Sequence, residues 1–295
     1  MPPEKEYDSS GSSDAGVRNE RSIGTILIQA GRLTFEDAER ILRLQHERNI
    51  RFGDAAIELG LLTQSDIDFA LARQFELPYL VAGESRVSPE VVCAYAPFSP
   101  RAMVMGSLRS QLMLRWFDAG PTNRSLAVLS ADRHEGRSYI AANLAVSFSQ
   151  LGLNTLLIDA DFRNPRQHLL FGLQTRGGLS SILSGRGGLD DVSGIPGLPN
   201  LSVLPTGAIP PNPLEILARP AFPQLLSELS NDFPIILLDA PSAAECPDAQ
   251  IIAVRAGAAI IVTRKNASRV WRVRGVSDAV THASATVIGS ILNDF

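Results

Sequence analysis

A small all-helical domain followed by an α/β domain, its mostly parallel sheet flanked by helices, is the fold that this 295-residue chain predicts. Three observations carry that expectation. From Ser125 onward, short continuous apolar runs alternate with helical stretches, the mark of a parallel sheet covered on both faces. Directly after the first run, residues 130–138 read SADRHEGRS and lead into YIAANLA, a glycine-bearing loop that opens a helix. Residues 22–74 hold an internal repeat instead: Gly24, Gly31, Leu33, Thr34, Asp37 and Gln45 recur as Gly53, Gly60, Leu62, Thr63, Asp66 and Gln74, each 29 positions later. A repeat of that period marks stacked supersecondary units.

In chain order, residues 1–20 are polar and poor in apolar side chains, so a disordered tail is expected. Each repeat copy reads as two short helices, which gives a helical domain over 21–80. In the first copy Ile23, Ile26 and Leu27 share a face, and Gly31 stops the helix as a C-cap. Thr34 then starts the next helix with Asp37 three residues on, close to a capping box. The second copy repeats this with Phe52, Ala56, Gly60, Thr63 and Asp66, and the domain ends near Pro78. Residues 81–122 read as a connector with one amphipathic helix over 102–117, and the α/β domain spans 123–295. Its strands are expected at 126–129, 155–158, 201–204, 235–238, 258–262 and 287–292. Asp159, Asp161, Asp239 and the loop around Gly136 then fall at the carboxyl edge of the sheet, where such folds bind ligands.

Composition narrows the function classes. Hydrophobic residues make up 45% of the chain and the formal net charge is −4, so there is a core to build and no electrostatic case for nucleic acid. Cys93 and Cys246 match neither a metal spacing nor a disulfide framework, which fits a reducing cytosol. The most apolar stretches, such as 256–262, are far too short to span a bilayer, and the polar N-terminus lacks the apolar core of a signal peptide. Any membrane association is therefore expected through a partner.

The loop carries the chemistry. In the P-loop pattern G-x-x-x-x-G-K-[ST], backbone N–H groups and the following helix N-terminus cradle nucleotide phosphates. Gly136 and Ser138 stand where that pattern wants them, Ala131 replaces its first glycine, and Arg137 stands in place of lysine. ATP with Mg²⁺ also needs a hydroxyl on the metal and carboxylates behind it. Ser138 supplies the hydroxyl, Asp239 ends an apolar strand, and Asp159 and Asp161 in LLIDADFR add an acidic pair. One Asp after an apolar strand is more often a turn or helix cap; four such groups on one edge weaken that reading.

The order of these motifs resembles the bacterial tyrosine kinases of polysaccharide synthesis, the BY-kinases, within the MinD/ParA-like P-loop NTPases. The resemblance covers residues 101–295. LLIDADFRNPRQH at 156–168 is similar to the family's Walker A′ motif, IILLDAPS at 235–242 to its Walker B, GAIPPNPLEIL at 207–217 to its Asn-Pro-x-Glu-Leu segment, and GSILNDF at 289–295 to its final strand. It implies catalytic roles for Asp159, Asp161 and Asp239, with Asp159 or Asp161 assisting hydroxyl activation. Mg²⁺ is expected on Ser138, Asp161 and Asp239, and ATP against Ala131, Glu135, Gly136, Arg137, Ser138, Arg163 and Asn293. It also implies a membrane polysaccharide co-polymerase (a chain-length determinant) as partner, a homo-oligomer, and a cytoplasmic location peripheral to the inner membrane.

The departures point toward weakened activity. The family's loop has Pro-Gly before Glu-Gly-Lys; here Arg133 and His134 precede Glu135, Gly136 and Arg137. A planar guanidinium does not interchange with a compact ammonium between phosphates, and His134 at a glycine position restricts the backbone. The family's assembly helix carries Glu-x-x-Arg-x-x-Arg, whereas Met103, Gly106 and Arg109 occupy those places here. Instead of a C-terminal tyrosine cluster, tyrosines stand only at positions 7, 79, 95 and 139, with Tyr7 in the expected tail. The expected function is thus a BY-kinase-like nucleotide-binding protein regulating exopolysaccharide biosynthesis and export, with tyrosine kinase activity weak or absent. An active autophosphorylating kinase, a MinD/ParA-like switch ATPase and a non-catalytic export adaptor stay open. Asp132 and Arg133 stand where the switch ATPases carry a second lysine.

The repeat resembles the N-terminal domain of type II secretion ATPases, some of which bind cyclic di-GMP. That resemblance places a cyclic di-GMP site at Arg51, Gly53 and Gly60, while the first copy has Ser22 where arginine is wanted and Arg21 one place early. The alternative is a helical interaction module without ligand. Trp271 among Arg269, Arg272 and Arg274 reads as a solvated helix face, Trp116 and Phe117 as docking residues, and His168 and Cys246 as lying near the site without metal spacing.

Overall fold

The computed structural model describes residues 22–174, 177–244 and 246–294, and the chain divides after Leu77 into two units. The expectations for the tail, Tyr7, Arg21 and the terminal Phe295 lie outside the described residues.

The first unit is built from α1 (Ile23–Gln29), α2 (Phe35–Arg48), α3 (Phe52–Glu58) and α4 (Gln64–Gln74). The repeat is structural: adding 29 to the start of α1 and of α2 gives the starts of α3 and α4. Gly31 and Gly60 follow the helix ends with φ of 68° and 66°. Around each, paired backbone bonds close a Schellman turn, Arg32 N to Leu27 O with Gly31 N to Ile28 O, and Leu61 N to Ala56 O with Gly60 N to Ile57 O. Thr34 and Thr63 cap the second helix of each copy, and Thr63 with Asp66 completes a capping box. α1 packs on α4 and α2 on α3, so the two copies interlock and bury Leu27, Ile41, Ala56 and Ile67 between them.

The second unit begins before the sheet. Residues 81–122, read as a connector with one helix, group with this unit: α5 (Val92–Tyr95) and α6 (Pro100–Arg115) pack on α7 (Arg137–Ser149). Ser99 caps α6 and Pro100 occupies its first turn, so the helix starts earlier than expected. Trp116 donates from Nε1 to Ser125 O at 3.0 Å, and Phe117 meets the Phe148 ring edge-on at 5.3 Å. Both dock inside their own unit.

Seven strands follow among the described residues: β1 (Ser125–Ser130), β2 (Thr155–Asp159), β3 (Ser193–Ile195), β4 (Leu198–Leu204), β5 (Ile235–Ser242), β6 (Ala258–Arg264) and β7 (Thr286–Asn293). They lie in the order β3-β4-β2-β5-β1-β6-β7, parallel except for the edge strand β3. Along β1, Leu126 and Val128 join the core under α7, while Ala127 and Leu129 join the opposite core. That second core is roofed by α10 (Pro213–Ala218), α11 (Ala221–Leu229), α12 (Asp248–Ala256) and α13 (Val270–His282). The short α8 (Gln167–Leu170) and α9 (Leu179–Leu183) complete the unit. α7 is buried nearly all round because the sheet covers one face and α6 another; Leu144 and Phe148 are fully buried, each worth about 1.5–3 kcal/mol. Among the described residues no helix is long and apolar enough to cross a membrane.

Candidate functional site

β1 ends at Ser130, and the loop after it turns through two left-handed residues, His134 (φ 60°) and Gly136 (φ 96°), before α7 begins. The histidine thus adopts the conformation that glycine would supply. Three anchors hold this shape. The Glu135 carboxylate turns inward, only 3% exposed, and accepts from Asp132 N at 2.9 Å and from the Ser268 hydroxyl. Asn293 Nδ2, at the end of β7, donates to Glu135 O at 3.1 Å. Ala131 O accepts from Ala244 N at 3.0 Å, tying the loop to the segment after β5. No side chain caps α7, so the first-turn amides of this 13-residue helix are left for an anion.

Arg137 does not reach out of the loop. Its Nε donates to Ala240 O at 2.7 Å, Nη1 to Ser130 Oγ at 2.6 Å and Asp132 O at 3.3 Å, and Nη2 to Asp161 Oδ2 at 3.3 Å. Four of the five guanidinium N–H groups are therefore taken by protein acceptors. The residue expected to meet phosphate instead fastens the loop to β5 and to the acidic pair.

The three acids converge, in different roles. Asp159 at the end of β2 and Asp239 are register partners, both fully buried; Asp239 does not end its strand as expected, since β5 runs on to Ser242. Asp159 Oδ2 accepts from Arg166 N and Gln167 N, each at 2.9 Å, which folds the segment after β2 back onto the sheet. Burial, then the charge of Asp239, push its carboxyl well above the usual range. Asp161 Oδ1 accepts from Arg163 N at 3.1 Å and Asn164 N at 2.9 Å, an Asx-type turn, while its other oxygen meets Arg137. Asp239 Oδ2 accepts from Gln167 Nε2 at 2.7 Å, but its Oδ1 is buried without a hydrogen-bond partner. Burial lifts the Asp239 carboxyl to about 6, opposed by Arg137, Gln167 and the neighbouring Ser138 hydroxyl.

That orphaned oxygen beside Ser138 fits a hydrated magnesium ion, which takes one or two protein oxygens and keeps its waters. Gln167 Oε1 is likewise buried and unpartnered, and Gln167 Nε2 also donates to Ser138 O at 3.1 Å. Gln167 is a site residue that pattern reading misses: a neutral amide eight positions after Asp159 carries no motif of its own, although it lies within the quoted LLIDADFRNPRQH stretch. Asp248 is another. It opens α12, is 1% exposed, and holds Arg163 at 2.9 Å. Arg163 is thus at the acidic edge but engaged, and the same ion pair raises its pKa.

The residues expected to bind cyclic di-GMP lie in the first unit. Arg51 is an exposed N-cap whose side chain makes no capping bond. Gly53 has a packing reason, since a Cβ there would stand 3.3 Å from Ile67 Cγ2, and Gly60 has the left-handed turn already described. Ser22 caps α1 by accepting from Thr25 N.

No family model matches the chain. It is 33% identical over 189 residues to a putative tyrosine-protein kinase CapB of Staphylococcus aureus, covering 63% of this chain and 81% of the relative. It is 32% identical to a putative tyrosine-protein kinase EpsB of Ralstonia solanacearum over 67% of this chain, but spans only 26% of that longer protein. Among solved structures, the chimerical protein CapA2B2 superposes with a TM-score of 0.65 at 30% identity, over 77% of this chain and 98% of that one. The septum site-determining protein MinD of Pyrococcus horikoshii, complexed with Mg-ADP, superposes with a TM-score of 0.51 at 25% identity, over 58% of this chain and 70% of that one.

Proposed function

This chain belongs to the bacterial tyrosine-protein kinase family, and from that premise we propose that its second unit binds Mg-ATP in the 131–138 loop but transfers phosphate slowly. The observation that carries the reading is a pair: an unpartnered Asp239 oxygen beside Ser138 at an open helix N-terminus, and an Arg137 guanidinium turned into the protein. Mg²⁺, when bound, neutralises charge on the β- and γ-phosphate oxygens. Ser138 and Asp239 would hold it, with Gln167 orienting Asp239 and the loop amides placed to position the phosphates. Asp161 keeps Arg137 in place, and Asp159 shapes the segment that carries Arg163 and Gln167.

Arg137 is the reason for slow transfer. A cation with four donors committed to the protein has little left for a transferring phosphate, where developing charge must be met without rearrangement. In this reading the chain acts in exopolysaccharide synthesis and export as a nucleotide-dependent regulator of a membrane co-polymerase. Calorimetry with Mg-ATP tests it: micromolar binding, abolished in Asp239→Ala, with turnover slow beside that of an active relative, is the expected result. Absence of binding sinks the nucleotide reading, and fast turnover sinks the regulatory one. The cyclic di-GMP reading of the first unit rests on Arg51 alone, since Gly53 and Gly60 already have structural accounts. Calorimetry with that dinucleotide and Arg51→Ala separates it from an interaction module.

A further inference from the structure

The charge of this chain is unevenly spread. Its formal net charge is −4, yet between Asp248 and Asp278 stand six cations, Arg255, Arg264, Lys265, Arg269, Arg272 and Arg274, and no acid. Four of the six are engaged within the protein: Arg255 donates to Ala218 O, Lys265 pairs with Asp294, Arg272 pairs with Asp132, and Arg264 is held as well. Arg269 and Arg274 are exposed and pair with no acid among the described residues. Between these two lie Val270 and Trp271, 68% and 65% exposed.

Arg269 immediately precedes α13, and Val270 and Trp271 open its first turn. Arg274 follows Val270 by four residues and Trp271 by three, the spacings that put side chains on one helix face. The start of α13 thus presents a branched aliphatic group, an indole and two unpaired guanidiniums together. It is firmly based: Ser268 Oγ accepts from Arg264 N at 2.7 Å and its hydroxyl meets Glu135, while Arg272 grips Asp132. Asp278, also exposed, is seven residues beyond Trp271, about 10 Å along the axis, so the cationic surface is the first turn alone. A second copy of the chain is a poor occupant, because a two-fold contact sets these arginines against themselves. An acidic protein would need a pocket shaped to the indole, whereas a fluid headgroup layer takes a protruding side chain of any shape. There the indole and the aliphatic group settle at the boundary, and the long arginine side chains keep their charge among lipid phosphates.

We propose that the first turn of α13 docks directly on an anionic lipid bilayer, with Val270 and Trp271 in the headgroup boundary and Arg269 and Arg274 on lipid phosphates. The contact is separate from any membrane partner and does not rest on the nucleotide reading. With two free cations and two apolar side chains on a protein of negative net charge, it is weak, and it orients the second unit rather than anchoring it.

The test is flotation of the full chain with vesicles of phosphatidylcholine mixed equally with phosphatidylglycerol, beside vesicles of phosphatidylcholine alone. Binding to the mixed vesicles only, falling as salt rises, is expected. Arg269→Glu combined with Arg274→Glu should weaken it about tenfold or more, and Trp271→Ala several-fold. All three positions are exposed, so Mg-ATP affinity should stay within about twofold in both variants. Lipids brominated high on the acyl chain give a direct readout: they should quench Trp271, while Trp116, whose Nε1 bonds to Ser125 O, keeps its emission. No flotation, equal flotation with both vesicles, full binding by either variant, or flotation without quenching overturns the assignment. A blue shift of Trp271 emission on raising protein concentration without lipid would give the patch to a second copy instead. Tighter binding of an acidic polypeptide than of the mixed vesicles would likewise overturn the lipid assignment in favour of an acidic protein. Loss of Mg-ATP binding in the parent would count against the nucleotide reading and leave the vesicle comparison readable.

Discussion

Arg137 is a buried strut before it is anything else. Its bonds to Ala240, Ser130, Asp132 and Asp161 span β1, the loop, the Asp161 turn and β5. A lysine there offers three donors on one compact atom and cannot reproduce the fork. Arg137→Lys is therefore expected to lower stability by about 1–3 kcal/mol while raising ATP turnover, because an ammonium is freed for phosphate. Thermal melting and steady-state hydrolysis read both arms; unchanged turnover with lost stability would leave Arg137 as a strut but not as the brake. Asp239 obeys a different logic. Its carboxyl moves from 3.8 to about 6 on burial, so the folded state holds that proton more tightly than the unfolded chain does. Its ionisation thus opposes folding: stability falls as pH rises from about 4 to about 6 and stays lower above that. Asp239→Asn should raise the melting temperature at pH 7.5 in EDTA by a few degrees, on the order of 1–2 kcal/mol, with the gap closing toward pH 4. It should also lose the stabilisation that Mg-ATP gives the parent. A variant that melts below the parent in EDTA would contradict the sign.

At the scale of elements, the loop shows how a motif survives a substitution that its pattern disfavours. His134 takes a φ of 60°, where a side chain costs about 1–2 kcal/mol and histidine is tolerated better than most. Glycine removes that strain but gives back roughly 0.5–1 kcal/mol through its freer unfolded chain. His134→Gly is therefore expected to stabilise the protein by no more than about 1 kcal/mol and to leave Mg-ATP affinity within a few-fold, measured by denaturant titration and calorimetry. What the sequence makes legible follows from burial. The parallel strands are readable because both faces are covered, which forces runs such as Ile235 to Leu238. Strand β3 is not, because Ser193-Gly194-Ile195 at an edge needs only one apolar residue. Residues 81–122 read as a connector because α5 is a single turn and α6 buries only Ala102, Met105 and Leu112. The acids are legible as a set on one edge, yet a sequence does not separate Asp159, engaged with backbone amides, from Asp239, which keeps an open oxygen. Arg109, the one retained residue of the assembly pattern, donates to Ser147 O at 2.7 Å and so serves its own unit.

For the whole molecule, every residue assigned to the nucleotide lies in the unit that follows Leu77, and the repeat forms a unit of its own whose two longer helices are capped by Thr34 and Thr63. A fragment covering 78–295 should therefore bind Mg-ATP within about twofold of the full chain, a tie that calorimetry on both can break. The distribution of tyrosines decides the last expectation. Among the described residues Tyr79, Tyr95 and Tyr139 are all partly buried. Tyr95 donates its hydroxyl to Val87 O, and Tyr139, in the first turn of α7, has its phenol pushed up by burial. A phenol held in a backbone bond or against a helix does not reach the loop of a neighbouring copy without local unfolding. Phosphate arriving on this chain would therefore have to go to Tyr7, outside the described residues, and the expected product is a single modification at most. Intact-mass spectrometry after prolonged incubation with Mg-ATP reads that directly. A ladder of several phosphates, lost in Asp239→Ala, would mean that the buried tyrosines open readily and that the chain works as a full autokinase despite Arg137.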